Sequence, residues 1–237
     1  MSLQDPTVKG LSALVIVLLL SGCAQRVVRQ TPPDDYEPIA ADPSKVVEIR
    51  DDVIRGLLDK GQYYAALAHI QEQKQAAPNS AQLIYLEAET RRRLGQTAPA
   101  ELLYRRLMGG PLEGKAWHGI GLMLTRKDLE GAIRALRSAS AKLPTDVEIR
   151  NDLGYALMEA GRYSEALPEL STAAELAPAQ LKSRNNLIIL MLLTGNQPGA
   201  DQMAKQAGAT AETMKRLRAD AQNIRSRQAA RSSRTPS

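Results

Sequence analysis

The chain of 237 residues contains one Cys, two His, one Trp and no Phe, and aromatic residues make up only 3% of it. A single thiol closes no intramolecular disulfide and supplies no zinc cluster. The histidines, His69 and His118, are too few for a histidine-rich metal site, and neither stands in a ligand spacing. A phosphate-cradling loop is missing as well, because Gly109-Gly110 runs directly into Pro111. Serines and carboxylates are scattered without a nucleophile-elbow or paired-acid pattern. These absences point away from an enzyme, and no metal, cofactor or small-molecule substrate is expected. Scarcity of aromatics beside plentiful Ala, Leu and Arg suits small-residue helix packing and suits a β-sandwich poorly.

A net charge of +5 suggests nucleic acid until it is localised. Residues 215–237 hold seven Lys/Arg against Asp220, so the rest of the chain sums to −1. The basicity is confined to one end, and no nucleic-acid partner is expected. The Arg91-Arg92-Arg93 run lies near Glu87 and Glu89 and reads as a salt-bridged, solvated helix face.

What is present falls into three parts. Lys9 and the N-terminal amine precede an apolar run, residues 11–20, broken only by Ser12. That is too short for a bilayer-spanning helix and fits a signal-peptide core over 1–22. The run ends in Leu20-Ser21-Gly22-Cys23, which resembles the bacterial lipobox. The resemblance implies cleavage before Cys23 and attachment of diacylglycerol and a fatty acid (palmitate-like) to it. Each buried CH₂ of such chains contributes about 0.8 kcal/mol of membrane affinity. Ala24 is not the Asp that usually marks inner-membrane retention in this family. The implied location is the outer membrane, on its periplasmic face. Residues 23–46 then form an acidic, Pro-rich segment with Pro32, Pro33, Pro38 and Pro43, read as an extended tether.

The third part is a repeat. Residues 147–180 read as two amphipathic helices, 148–160 and 164–176, joined through Gly161 and closed by Pro178. Leu153, Gly154 and Leu157 share a face of the first helix; Ala166, Leu170 and Ala173 share a face of the second. Gly154 and Ala166 are small where the helices must approach. A lone hairpin of this kind cannot bury its apolar faces, so copies are expected. They occur at 47–80, 81–113 and 114–146, and a fifth begins at Leu181. The second-helix alanines Ala66, Ala100, Ala132, Ala166 and Ala200 are spaced 34, 32, 34 and 34 residues apart. Gly61, Gly95, Gly161 and Gly195 each precede one of them by five residues, while the third copy turns at Arg126-Lys127 without glycine.

Trp117-x₂-Ile120-Gly121-x₂-Leu124 with Ala132-x₃-Leu136, and Leu153-Gly154-x₂-Leu157 with Ala166-x₃-Leu170, resemble the tetratricopeptide repeat. The implied fold is all-α, a right-handed superhelical solenoid of about five hairpins over 47–209. Ile54 and Ile188 stand where the family has a small residue, so the first and fifth hairpins should pack less closely. Arg150 stands where Trp is expected. After the array, Thr210 caps a helix over 210–228 whose stripe of Met214, Leu217, Ala221 and Ile224 suits a solenoid cap. Residues 229–237 read as a disordered basic tail.

In the family it resembles, first helices line the inner surface of the solenoid. Projecting that pattern gives a partner groove of Tyr85, Glu89, His118, Leu122 and Asn151, continued by Tyr155, Met158, Asn185, Ile189 and Leu192. Its mix of aromatic, aliphatic and amide groups suits an amphipathic helix or an extended peptide. For Ile189 and Leu192 the alternative is that the C-terminal helix covers them. Lipobox, tether and the segment 151–196 together resemble the TadD family, outer-membrane lipoproteins of the tight-adherence (Flp) pilus system. That resemblance implies a pilotin-like scaffold that binds the secretin subunit and is anchored to the membrane by its lipid. A type IV pilus pilotin and a lipoprotein regulator of peptidoglycan synthesis share the same sequence features.

Overall fold

The computed structural model describes residues 43–233, with side chains from residue 49 onward. The expected signal peptide, Cys23, most of the tether and residues 234–237 lie outside the described residues. Those described form eleven α-helices and no strand. Five hairpins follow one another: α1 (Pro43–Asp59) with α2 (Tyr63–Ala76), α3 (Ala81–Arg93) with α4 (Thr97–Arg105), and α5 (Glu113–Leu124) with α6 (Leu129–Lys142). Then come α7 (Val147–Glu159) with α8 (Tyr163–Leu176), α9 (Leu181–Leu193) with α10 (Gln197–Gln206), and a final α11 (Ala211–Ser232). The all-helical, tetratricopeptide-like solenoid expected from the repeats is the observed fold.

Each hairpin turn is built the way its residues require. Gly161 has φ +74°, and the N–H of Arg162 donates to the Leu157 carbonyl at 2.9 Å, which satisfies a C-terminal carbonyl of α7. The third turn lacks glycine and closes differently. There the Asp128 N–H donates to the Leu124 carbonyl at 2.8 Å, and the Asp128 carboxylate caps α6 by accepting from the Gly131 N–H at 2.8 Å.

The five alanines of the ladder are fully buried. They let the paired helices meet, and the residue opposite sets how closely. Gly121 and Gly154 face Leu136 and Leu170, and their hairpins are the tightest; the hairpin with Ala88 is looser, and those with Ile54 and Ile188 are looser still. The expectation for the first and fifth hairpins holds for this reason. Where the family has Trp, Arg150 instead bonds Glu169 of the second helix at 2.8 Å.

Two bounds differ from the sequence reading. Helix α1 begins at Pro43, inside the segment read as an extended tether. Proline at a first helical position gives up an N–H that has no intrahelical partner in any case. Helix α11 runs to Ser232, past residue 228 and into the segment read as disordered. The reason is tertiary: Arg231 donates to the carboxylate and the carbonyl of Glu159, so the last turn is held by α7.

Candidate functional site

Contacts between hairpins define one face shared by the first helices. The Lys115 ammonium of α5 sits 5.9 Å from the centre of the Tyr85 ring of α3, a cation–π distance. His118 Nε2 of α5 lies 2.8 Å from Asp152 Oδ2 of α7, and Lys182 Nζ of α9 donates to Asp152 Oδ1 at 3.0 Å. Lys182 also reaches Glu148 at 2.8 Å. One carboxylate therefore ties three successive hairpins together along this face. Burial pushes the Asp152 carboxyl up, but the hydrogen bonds and charges of His118 and Lys182 outweigh it and hold the group below its ordinary value.

The residues expected to line the groove divide into three sets. Tyr85, His118, Leu122 and Asn185 are half-buried on this face, and Tyr155 is exposed. Burial, then the neighbouring Glu159, pushes the Tyr155 phenol up. Glu89 is also half-buried, but its oxygens are committed: Arg92 donates to both at 3.1 and 2.8 Å, and the Tyr104 hydroxyl donates to one. Burial again works against the charge on Glu89, and Arg92 overcomes it. Glu89 organises the α3–α4 hairpin and has little capacity left for a partner.

Asn151, Met158, Ile189 and Leu192 are corrections. They are 1%, 0%, 4% and 8% exposed, so they belong to the core and not to an open surface. Asn151 accepts a hydrogen bond from the Asn186 side-chain amide at 2.9 Å, a buried amide pair between successive hairpins. Ile189, Leu192 and Met158 join one apolar cluster with Met214, Leu217, Ala221 and Ile224 of α11. The C-terminal helix covers them, as the alternative reading of Ile189 and Leu192 had it. The open part of the face therefore runs over α3, α5 and α7 to the start of α9, where Lys182 is exposed and Asn185 half-buried.

The hold of α11 on the body is polar as well as apolar. Arg227 Nε donates to both Glu159 oxygens at 3.1 and 3.2 Å, and Arg231 reaches one of them at 2.8 Å. Gln228 accepts from the Tyr163 hydroxyl at 2.8 Å and donates to the Met158 carbonyl at 2.6 Å. Arg225 donates to the Leu192 carbonyl at 2.8 Å, where α9 ends. Sequence reading missed Asp152, Lys182, Glu159 and Asn186. Spacing offered one signal, since His118 and Asp152 are 34 residues apart, one repeat. No group of three or more potential metal ligands occurs among the described residues, and no described helix is long and apolar enough to cross a membrane.

Comparison with known proteins agrees with this architecture. The family model described as tetratricopeptide repeat matches residues 123–184. The TPR repeat-containing protein PA4299 of Pseudomonas aeruginosa is 29% identical over 212 residues, which cover 89% of this chain and 79% of that one. Among solved structures, Pseudomonas aeruginosa pilF superposes with a TM-score of 0.61 at 19% identity, covering 79% of this chain and 89% of that one. TTC0263, a thermophilic TPR protein of Thermus thermophilus, gives 0.58 at 22% identity, covering 75% and 97%. At such identities the two structures speak for the fold alone. The repeat match over residues 123–184 and the superpositions agree on the fold, a helical solenoid built of tetratricopeptide-like hairpins.

Proposed function

We propose that this chain is an outer-membrane-anchored, pilotin-like scaffold of a tight-adherence (Flp) pilus system. Its solenoid holds a segment of the secretin subunit, and the lipid on Cys23 carries the pair to the outer membrane. The reading is non-enzymatic, with no cofactor beyond that covalent lipid. The observation that carries it is the division of the first-helix face. Helix α11 closes the face over α7 and α9, while Tyr85, His118, Leu122 and Tyr155 remain at the surface toward α3, α5 and α7. Tyr supplies large amphipathic contact area at low entropic cost, and Leu supplies an apolar anchor. The anchor rests on the Leu20-Ser21-Gly22-Cys23 sequence, and the assignment to this pilus system rests on the resemblance of residues 151–196.

Site-specific photo-crosslinking in cells tests the partner. A photoreactive residue at Leu122, on the open face, is expected to capture the secretin subunit. The same residue at Tyr64, which is 77% exposed on the second helix α2, is expected to capture none. Equal capture at both positions, or no secretin adduct at Leu122, overturns the assignment.

A further inference from the structure

Between the second and third hairpins lies a cleft of about 720 Å³ whose wall is basic. Arg92 and Arg93 enter it from the end of α3, and Arg126 and Lys127 from the glycine-less turn after α5; Leu122 and Met123 give it an apolar side. Among the described residues, its lining contains no Asp or Glu. The charges within reach are already spoken for. Glu89 is shared by Arg92 at 2.8 Å and Arg93 at 3.9 Å, so one carboxylate serves two guanidiniums. Asp128, next after Lys127, turns to cap α6 and lies 3.8 Å from Arg134. Arg126 and Lys127 are exposed in that turn.

We infer that this cleft docks a carboxylate-rich segment of a partner protein. The inference rests on the scaffold reading above and adds the chemistry of the segment it holds. Guanidiniums recognise carboxylates in a two-pronged geometry that an ammonium alone does not offer. Leu122 and Met123 favour a peptide with apolar side chains between its acids, and Met adapts to differing shapes. A polynucleotide fits less well, because Tyr63, the aromatic side chain of the lining, packs against the core of the first hairpin and offers no open platform for bases. Leu122 belongs both to the cleft and to the open groove, so a peptide in the groove can place its acids here.

The full-length protein, with Cys23→Ser to keep it in solution, is titrated into a fluorescein-labelled peptide of alternating Glu and Leu. Fluorescence anisotropy reads the binding. The peptide is expected to bind, more weakly as salt rises, and its Lys-for-Glu counterpart is not. Arg126→Glu with Lys127→Glu is expected to weaken binding about tenfold or more, since two attractions become repulsions. Both residues are exposed in a turn, and unchanged circular dichroism and melting temperature verify the fold. Lys215→Glu with Arg216→Glu makes the same charge change on α11 and is expected to leave binding intact. Equal weakening by both pairs, no binding at all, or equally tight binding of an oligothymidine would overturn the inference. If the peptide binds but Leu122 captures no secretin, the secretin assignment falls while the acidic cleft stands. If secretin is captured but the peptide does not bind, only the acidic docking falls.

Discussion

Arg227 of the last helix donates to both carboxylate oxygens of Glu159, at 3.1 and 3.2 Å, across 68 residues of sequence. Burial works against the charge on Glu159, and Arg227 with Arg231 outweighs it and holds the carboxyl below its ordinary value. Part of the positive charge that looked like a solvated tail is thus structural. It fastens α11 over Met158, Ile189 and Leu192 and fixes which part of the first-helix face stays open.

Glu159→Gln leaves the two guanidiniums without their anion. The acid is nearly buried while both arginines are about half exposed, so solvent screens the pair and the cost is about 1–2 kcal/mol. Hydrogen exchange is expected to quicken in the amides of residues 225–232 and to stay unchanged in α5 and α6. Protection of α11 equal to that of the parent would show that the apolar stripe alone holds it.

The apolar stripe makes its own prediction. Ile224 is fully buried among α7, α9 and α11 residues, and Ile224→Ala is expected to cost about 2–5 kcal/mol by lost transfer energy and cavity. Denaturant unfolding measures it, and 1-anilinonaphthalene-8-sulfonate fluorescence is expected to rise as Ile189 and Leu192 become accessible. A loss below that range with no dye binding would place α11 outside the cooperative core.

Two glycines predict opposite signs for one substitution. A Cβ on Gly154 would stand 2.5 Å from Leu170 Cγ, deep in the α7–α8 contact, so Gly154→Ala is expected to cost about 1–3 kcal/mol. A Cβ on Gly56, in the last turn of α1, meets nothing within 4 Å, so Gly56→Ala is expected to stabilise by about 0.5 kcal/mol. Thermal melts of both variants check the pair together.

Much of this was legible in the sequence. The alanine ladder, the turn glycines and the close approach at Gly154 and Ala166 follow from periodicity within a hairpin, and the structure has them where the repeats put them. The inner face was less legible. A helix pattern tells which residues share a side, but not what a later segment lays across that side. Asn151 and Met158 therefore look like groove residues until α9 brings Asn186 and α11 brings Gln228. Tyr104 gives a further instance. Its ring fits because Gly119 has no Cβ, which would lie 2.2 Å from the ring, and nothing in the repeat pattern marks that pair.

Acid should loosen the array in a defined window. Asp152, Glu89 and Glu159 all have carboxyl groups held below ordinary values of 3.8, 4.5 and 4.5. Groups depressed in the folded state contribute stability above their unfolded pKa and lose it as pH falls through the folded one. Stability is expected to be level from neutral pH down to about 5 and to fall below about 4. Asp152→Asn should flatten that fall and sever the His118–Lys182 link; an unchanged acid limb would mean that Asp152 is not among its causes.

The proposed delivery of a partner to the outer membrane through a lipid on Cys23 is tested by Cys23→Ser. Membrane fractionation of cells carrying the variant, with immunodetection of secretin multimers, is the measurement. The variant is expected to be released from the outer membrane, with the multimers lost or misplaced. Normal multimers in the outer membrane, alongside a released variant, would contradict it.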